Sequence, residues 1–391
     1  MTFTIINNKI NSGLQMVSKV VNTKNALPIL SDIIFIVEGE TLILKASDSE
    51  NTLITKMELA SADGDGQFAV SAKDITDAMK SLPSEAELTV TVDEDTHKMK
   101  VKYGQGSFSL PFDNALDFPT HPELQQDIVT EVKIQDNTLL DTIAHTILAT
   151  AQDELRPVMN GLYFDLKEDG LTVVASDGHK LVRCKLENVK GDKVGSFILP
   201  KKPGNLLKNI LGKSGEEVTI TFDDRNIHVT AENFTMVSRQ IEGRFPNYNS
   251  VIPQNNPNIL RANRLDMLSA LKRISPFSND ASNLIRFHVE DNTLQFDAED
   301  WDFSKTATEK MMAEYNGQAM SIGFKGASVI ELLQNIDSDE VELRLADPSR
   351  AGLFVPSEQP EGQDFLMLMM PMLINDCSYF TFHNLSRPDC P

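Results

Sequence analysis

The stretch LTVVASDGHKLV (residues 171–182) places an apolar strand pattern before an acidic turn. Two other stretches have the same form, LILKASDSENTL (residues 42–53) and LQFDAEDWDFSK (residues 294–305). Their equivalent aspartates, Asp48, Asp177 and Asp300, are 129 and 123 residues apart. A strand-and-turn pattern that recurs at such a period predicts a triplicated supersecondary unit.

Two further sets of residues repeat both offsets. One set lies inside strand patterns, and the other lies where a short strand runs into a helical pattern. The first set is Phe35, Phe164 and Phe287, and the second is Lys73, Lys202 and Lys325. Each unit is therefore predicted to be an α+β repeat, with two helices packed on antiparallel strands.

Turn-forming residues gather between the units, in DNALDFPTHPELQQD (residues 113–127) and EGRFPNYNSVIPQNNPN (residues 242–258). A chain of 391 residues is also long enough for about three domains of ordinary size. We place the N-terminal domain at residues 1–123, the central domain at 124–254 and the C-terminal domain at 255–376. Residues 377–391 form an atypical tail without periodicity, which we expect to be disordered or only loosely docked on the protein.

The net charge of −21 argues against a nucleic-acid partner only if it is spread evenly. The six predicted helical windows, residues 8–24, 73–82, 137–151, 201–213, 263–273 and 325–335, together carry +8, so the remainder carries −29. Chance enrichment of lysine on solvated helix faces is the plain alternative. A closed arrangement with helices inside and sheets outside would instead present a basic hole to phosphates and an acidic exterior.

Composition excludes several other classes of protein. The hydrophobic content of 41% is typical of a folded globular chain. No apolar run approaches the roughly 20 residues of a membrane span, and the N-terminus lacks a signal-peptide pattern, so we expect a cytoplasmic protein. The cysteines Cys184, Cys377 and Cys390 suggest neither a disulfide framework nor a zinc site.

Catalytic patterns in the sequence are weak. Asp177 and His179 lie two residues apart, as in some acid-base or metal fragments, but no GxSxG, HExxH or second histidine cluster accompanies them. The segment LKNILGKSG (residues 207–215) resembles a phosphate loop but has Leu207 where the first glycine is required. The acidic turn at residues 297–305 needs only solvated carboxylates. We predict no catalytic residue, no metal and no cofactor.

Four segments carry a family resemblance: ALPILSDIIF (residues 26–35), ASDGHKLV (175–182), EGRFPNY (242–248) and MMPML (369–373). They occur in the order, and at the positions, of equivalent segments in the β subunit of bacterial DNA polymerase III. The resemblance covers residues 1 to about 376. It implies a sliding clamp: a head-to-tail homodimer whose six domains form a closed ring, with twelve helices lining a hole for duplex DNA.

The resemblance and the charge pattern together nominate residues that would contact DNA phosphates without reading sequence. The candidates for this inner surface are Lys24, Lys73, Lys201, Lys202, Lys208, Arg264, Lys272, Arg273 and Lys325. The expected partners are double-stranded DNA, the DNA polymerase III catalytic subunit, the clamp loader, other clamp-binding replication and repair proteins, and a second copy of the chain. We expect no membrane partner.

The resemblance also implies a groove for partner peptides, built mostly from apolar residues. The matching positions are Met159, Ser176, Gly178, His179, Lys180, Leu181, Pro246, Val251, Ala351, Leu368, Met369, Met370, Pro371 and Met372. Pro157, Val158, Ser250 and Leu373 depart from the family pattern, which predicts altered preferences at the rim. The competing hypotheses are a triplicated peptide-binding scaffold that never closes and an enzyme that uses His179 with Asp177.

Overall fold

The computed structural model describes residues 1–22, 27–120, 123–125 and 127–374. They form two compact units. Unit 1 contains Met1–Val173 and Leu186–Phe245, and unit 2 contains Val174–Lys185 and the described residues from Pro246 onward. Two predictions, Lys24 as a DNA contact and the disordered tail at residues 377–391, lie outside the described residues.

Over the described residues the chain forms six α-helices, two in each predicted repeat. They are α1 (Asn7–Val17), α2 (Ala72–Lys80), α3 (Asp136–Thr146), α4 (Lys201–Ile210), α5 (Arg264–Ile274) and α6 (Gly326–Gln334). The helices pack in consecutive pairs, α1 with α2, α3 with α4 and α5 with α6. None of the helices in this part of the chain is long and apolar enough to span a membrane.

The strands follow the same order along the chain in the first and third repeats, and the second repeat, with eight described strands, lacks the short fifth strand of the other two. The first repeat has β1 (Thr2–Ile6), β2 (Asp32–Glu38), β3 (Thr41–Ser47), β4 (Asn51–Glu58), β5 (Ser61–Asp63), β6 (Gly66–Ser71), β7 (Glu87–Asp93), β8 (Lys98–Tyr103) and β9 (Gly106–Pro111). The second has β10 (Thr130–Gln135), β11 (Gly161–Lys167), β12 (Gly170–Ser176), β13 (Lys180–Leu186), β14 (Gly195–Pro200), β15 (Glu217–Phe222), β16 (Asn226–Thr230) and β17 (Thr235–Arg239). The third has β18 (Asn258–Asn263), β19 (Leu284–Glu290), β20 (Thr293–Asp300), β21 (Lys305–Met312), β22 (Glu314–Tyr315), β23 (Met320–Lys325), β24 (Glu340–Leu345), β25 (Gly352–Pro356) and β26 (Gln363–Met369).

All the strand pairings described here are antiparallel, which confirms the predicted α+β class. Unit 1 contains a five-stranded sheet in the order β5-β1-β7-β8-β9 and an eight-stranded sheet in the order β10-β15-β16-β17-β4-β3-β2-β6. In unit 2, one sheet has the order β21-β20-β19-β23, and β13, β26, β25, β24, β18 and β22 follow one another in a second. The strands β9 and β21 therefore lie at sheet edges.

Equivalent phenylalanines anchor the core of each repeat. Phe35, Phe164 and Phe287 are all buried, as the repeat predicts. Each packs against a phenylalanine one strand away, and the pairs are Phe35 with Phe68, Phe164 with Phe197 and Phe287 with Phe324. Their ring centroids are 5.0, 4.6 and 5.2 Å apart. An aromatic pair of this kind adds about 1 kcal/mol beyond simple burial, so the repeat preserves a packing unit as well as a chain path.

In a second repeated feature, one position on one sheet edge of each repeat is bonded by the following chain. The chain that follows the last strands returns to bond the backbone of one residue in β6, β14 or β23. The bonded pairs are Ala69 with Asp113, Ile198 with Ile241 and Gly323 with Met372, with N···O distances of 2.8 to 3.0 Å. Each edge therefore has one bonded position and continues beyond it.

Candidate functional site

The helix α4 presents the clearest basic face in unit 1. Its apolar residues Leu206, Leu207 and Ile210 are buried against the sheets. Lys201 and Lys208 lie on the opposite side, seven residues apart, which is two helical turns on one face. Lys208 is exposed, and Lys201 is partly exposed. Their ammonium groups are thus available to a ligand outside the unit.

Lys202 differs from Lys201 and Lys208 because its ammonium group bonds the carboxylate of Asp48. Asp48 is the acidic residue of the first repeated turn, and its Oδ1 also accepts the backbone N–H of Asn51 at 2.7 Å. The lysine therefore ties α4 to that turn within unit 1. A side chain held in this way has less freedom to contact phosphate than an unpaired one.

The lysines at the remaining predicted positions that the structure describes are exposed. Lys73 lies in the first turn of α2, Lys272 in the last turn of α5, and Lys325 directly before α6. Within the part of the chain that the structure describes, these three ammonium groups have no side-chain partner. Lys9 on α1 and Lys213 after α4 are also exposed. The charge count over helical windows included both, but they were not singled out as candidates.

The two arginines predicted to face DNA are engaged inside unit 2. Arg264 donates to the backbone oxygens of Leu333 at 3.1 Å and Ser338 at 2.8 Å, so it closes the C-terminal end of α6. Arg273 grips the carboxylate of Glu309 with two guanidinium nitrogens, and this bond raises the pKa of Arg273 and lowers that of Glu309. Both side chains stabilise the third repeat directly.

The turn at residues 176–181 in unit 2, here called the DGHK turn, is held by its own aspartate. The Oδ1 atom of Asp177 accepts the backbone N–H groups of His179 and Lys180, each at 2.8 Å. Gly178 adopts a φ of 91°, a conformation that favours glycine. Asp177 thus bonds the backbone of His179 and not its imidazole, and its Oδ1 stabilises the turn. The geometry gives no support to an acid-base pair.

The DGHK turn meets the end of β26. The backbone N–H of Met370 donates to the carbonyl oxygen of His179 at 2.8 Å. Lys180 is buried, and its ammonium group bonds Glu331 of α6. Arg183 of β13 bonds Asp364 of β26. These contacts fix the backbone of the turn against the strand end, which is the preorganisation that a peptide-binding surface needs.

The apolar residues at the strand end separate into two groups. Leu368 and Met369 are 3% and 1% exposed, so their side chains belong to the core of unit 2. Met370 is 42% exposed, and Met372 is partly exposed. Methionine side chains adapt readily to different apolar ligands. Pro371 between them is also partly exposed, so Met370, Pro371 and Met372 are the residues of this group whose side chains reach the surface.

The other predicted groove residues occupy mixed environments. Pro246 and Val251 are exposed in unit 2, and Leu181 is buried there. Ala351 is buried, and its carbonyl oxygen accepts a bond from Asn256 at 3.0 Å. Met159 belongs to unit 1, where it is the buried last residue of a short 3₁₀ turn. Within unit 2 the structure brings together the DGHK turn and the strand end, which the sequence separates by almost 190 residues.

Three domain families match the chain in order. The N-terminal domain of the DNA polymerase III beta subunit matches residues 1–122, the central domain matches 133–247, and the C-terminal domain matches 249–373. The chain belongs to the DNA polymerase III β-subunit family. The resemblance seen in the sequence is thereby confirmed.

Individual members of the β-subunit family match over their whole length. The beta sliding clamp of Pseudomonas aeruginosa is 30% identical over 373 residues, which is 95% of this chain and 100% of the relative. The beta sliding clamp of Escherichia coli K12 is 28% identical over 372 residues, again 95% and 100%. The crystal structure of the DNA polymerase III subunit beta from Pseudomonas aeruginosa has a TM-score of 0.90 at 29% identity and covers 96% of this chain and all of its own.

Proposed function

We propose that two copies of this chain close head to tail into a ring around duplex DNA. The protein is a DNA sliding clamp for DNA polymerase III, a function that rests on its family and on relatives named beta sliding clamp across their full length. A clamp raises processivity by tethering the polymerase, so neither a catalytic residue nor a cofactor is required. The protein would act in the cytoplasm, where bacterial DNA is replicated.

Two exposed strand edges support closure of the ring. The strand β9 ends the five-stranded sheet of unit 1, and β21 ends a sheet of unit 2. An edge strand presents unpaired backbone groups that another strand can complete. If β9 of one copy pairs with β21 of the next, each copy uses two different edges. Such a heterologous contact, made twice, closes a dimer.

Contacts with DNA would come from unpaired lysines on the helices. Lys73, Lys201, Lys208, Lys272 and Lys325 have the required exposure and charge, and they are point charges suited to phosphate. The Lys202, Arg264 and Arg273 side chains have carboxylate or carbonyl partners, so we assign them smaller contributions. Contacts to phosphate carry no sequence information, which agrees with a protein that must slide.

Partner proteins would bind at the DGHK turn and the end of β26. The polymerase catalytic subunit, the clamp loader and other clamp-binding proteins are the expected partners, each through a short peptide. Met370 and Met372 supply apolar surface beside a backbone that is already held in place. A peptide that inserts apolar side chains there would bind without ordering the protein further.

A mass measurement and a DNA-retention assay test this function together. In solution the protein should have twice the chain mass of 43.5 kDa. After loading by a clamp loader it should stay on nicked circular DNA and slide off the same DNA once linearised. A monomer at micromolar concentration would favour the open scaffold, and equal loss from circular and linear DNA would refute topological tethering.

One substitution tests the proposed edge pairing. Phe112 donates its N–H to the carbonyl oxygen of His97, the residue directly before β8, so by alternation the N–H of Ser109 points away from β8 and towards the free edge. Ser109→Pro removes that donor at a place where an edge strand tolerates proline. We expect a folded protein with weakened dimerisation in analytical ultracentrifugation. An unchanged dimer would exclude β9 from the interface.

A further inference from the structure

A second sheet edge is left open in the middle repeat, at β14. The edge is bonded at Ile198, whose carbonyl oxygen accepts the N–H of Ile241 at 3.0 Å. The N–H of Ile198 points the same way, towards the side-chain oxygen of Gln240 at 3.4 Å. The backbone N–H and C=O groups of successive residues point to opposite sides of an antiparallel strand. Those of Ser196, two residues before Ile198, therefore also point away from β11. Within the described chain, the outward N–H and C=O of Ser196 have no bonding partner.

Open space lies directly beside this backbone. A cavity of about 640 Å³ is bordered by Ser196 on one side and by Gln240 and Ile241 on the other. Val194 and Ile128, exposed by 63% and 41%, form apolar parts of its wall. A second cavity of about 650 Å³ also touches residues 194–196 and is lined by the end of β11 and the turn at residues 168–169. We call the two cavities with the edge of β14 the β14 slot.

The charge around the β14 slot is predominantly negative. The first cavity is lined by the carboxylates Asp223, Asp224 and Glu242, with Arg225 as its one basic lining residue. Asp165, Glu168 and Asp169 line the second with a single lysine, Lys167. Burial acts to raise the pKa of Asp223, but backbone N–H donors from Gln125, Arg225 and Asn226 outweigh it, so that pKa lies below its usual value. The Asp223 carboxylate therefore stays anionic at neutral pH.

We propose that the β14 slot binds an extended segment of a partner protein, rich in lysine or arginine, as an added β-strand. The backbone of Ser196 supplies the pairing bonds. Alternate side chains of the guest would reach Val194 and Ile128, and the intervening basic ones would reach the carboxylates of Asp224 and Glu242. The same carboxylates would repel phosphate, so a nucleic acid is a poor occupant.

The equivalent edge of the first repeat provides a matched control. Gln67 of β6 precedes the bonded residue Ala69 by two positions, as Ser196 precedes Ile198. Its side chain is exposed, and β6 is also an edge strand. Ser196→Pro and Gln67→Pro thus make the same backbone change at equivalent positions. Neither substitution alters the net charge of −21.

The test uses a blocked synthetic peptide of alternating lysine and valine, titrated calorimetrically into the full-length dimer. We expect Ser196→Pro to weaken binding at least fivefold. The substitution removes the N–H that donates to the peptide, and one hydrogen bond is worth about 1 kcal/mol. The pyrrolidine ring of the proline also obstructs the edge of β14. Gln67→Pro should leave the affinity within twofold. The double reversal Asp224→Lys and Glu242→Lys should weaken binding further and reduce its salt dependence.

Amide hydrogen exchange identifies the bonded atom. Peptide binding should slow exchange at the N–H of Ser196 in the unsubstituted protein and leave that of Gln67 unchanged. The proposal is overturned if Ser196→Pro, shown to be folded and dimeric, binds the peptide as tightly as the parent, because binding would then be general attraction to an acidic protein. No measurable binding by the parent protein would overturn it equally.

Discussion

Lys201 and Lys208 offer the sharpest test of the proposal that the helices contact DNA. The double substitution Lys201→Gln and Lys208→Gln removes two charges from the unpaired face of α4 and leaves its buried face intact. Lys202→Gln removes a charge of the same kind from the same helix, but one whose partner is Asp48. The comparison therefore separates availability to phosphate from charge alone.

The expected size follows from counterion release. Each phosphate contact contributes about 0.9 to the slope of log affinity against log salt, so the double variant should lose about 1.8 from that slope. A fourfold rise in salt would then weaken the parent protein about twelvefold more than the variant. Lys202→Gln should change the slope by much less than 0.9 per charge, since its ammonium group already has a carboxylate partner.

Fluorescence anisotropy of a labelled duplex, measured over a salt series, would give the slopes. Melting curves should show little change for the double variant and a decrease for Lys202→Gln, which leaves the buried carboxylate of Asp48 without its cation. An unchanged slope in the double variant would place this face of α4 away from DNA. An equal loss in Lys202→Gln would show that the ion pair opens on binding.

Two further predictions concern the peptide surface and the first repeat. Met370→Ala and Met372→Ala should each weaken binding of a polymerase-derived peptide about thirtyfold, since losing an interface anchor costs about 2 kcal/mol. Met369→Ala, a change in the core, should mainly lower the melting temperature. Undiminished peptide affinity in the Met370 and Met372 variants would remove this surface from the proposal. Burial, helped by the carboxylates of Asp113 and Asp74, raises the pKa of Asp32 from 3.8 to about 6. The folded state therefore binds this proton more tightly, and its stability should fall by up to about 3 kcal/mol as pH rises from about 4 to about 6. Asp32→Asn should raise the melting temperature at neutral pH and flatten this dependence, and equal pH profiles would contradict the assignment.

Local pattern was sufficient for the repeat and for most of the secondary structure. Helix and strand periodicities depend on residues a few positions apart, so the windows at 201–213 and 263–273 correspond closely to α4 and α5. The window at 8–24 was too long, because α1 ends at Val17. The apolar pattern continues past that residue, and Val20 is buried outside the helix. Apolar content alone therefore does not mark a helix end.

Local sequence pattern could not predict which charged side chains pair with each other. Lys201, Lys202 and Lys208 look alike in sequence, and only the approach of Asp48, 154 residues away, separates the paired lysine from the unpaired ones. Arg273 is likewise held by Glu309, and Arg264 by the carbonyl groups of Leu333 in the last turn of α6 and Ser338 after it. An ion pair depends on distances between side chains from different elements, and no periodicity records those distances.

The sequence by itself determined the three α+β units, their spacing, the segregation of positive charge onto the helices and the family to which the chain belongs. The tertiary structure alone decided which of the methionines in MMPML are core and which are surface, because a strand end is buried or exposed according to what packs over it. It also decided that the edge of β14 is bonded at Ile198 and open at Ser196. Hydrophobic periodicity reflects residues close together in the sequence. A strand edge is open or paired according to whether a distant part of the chain packs beside it.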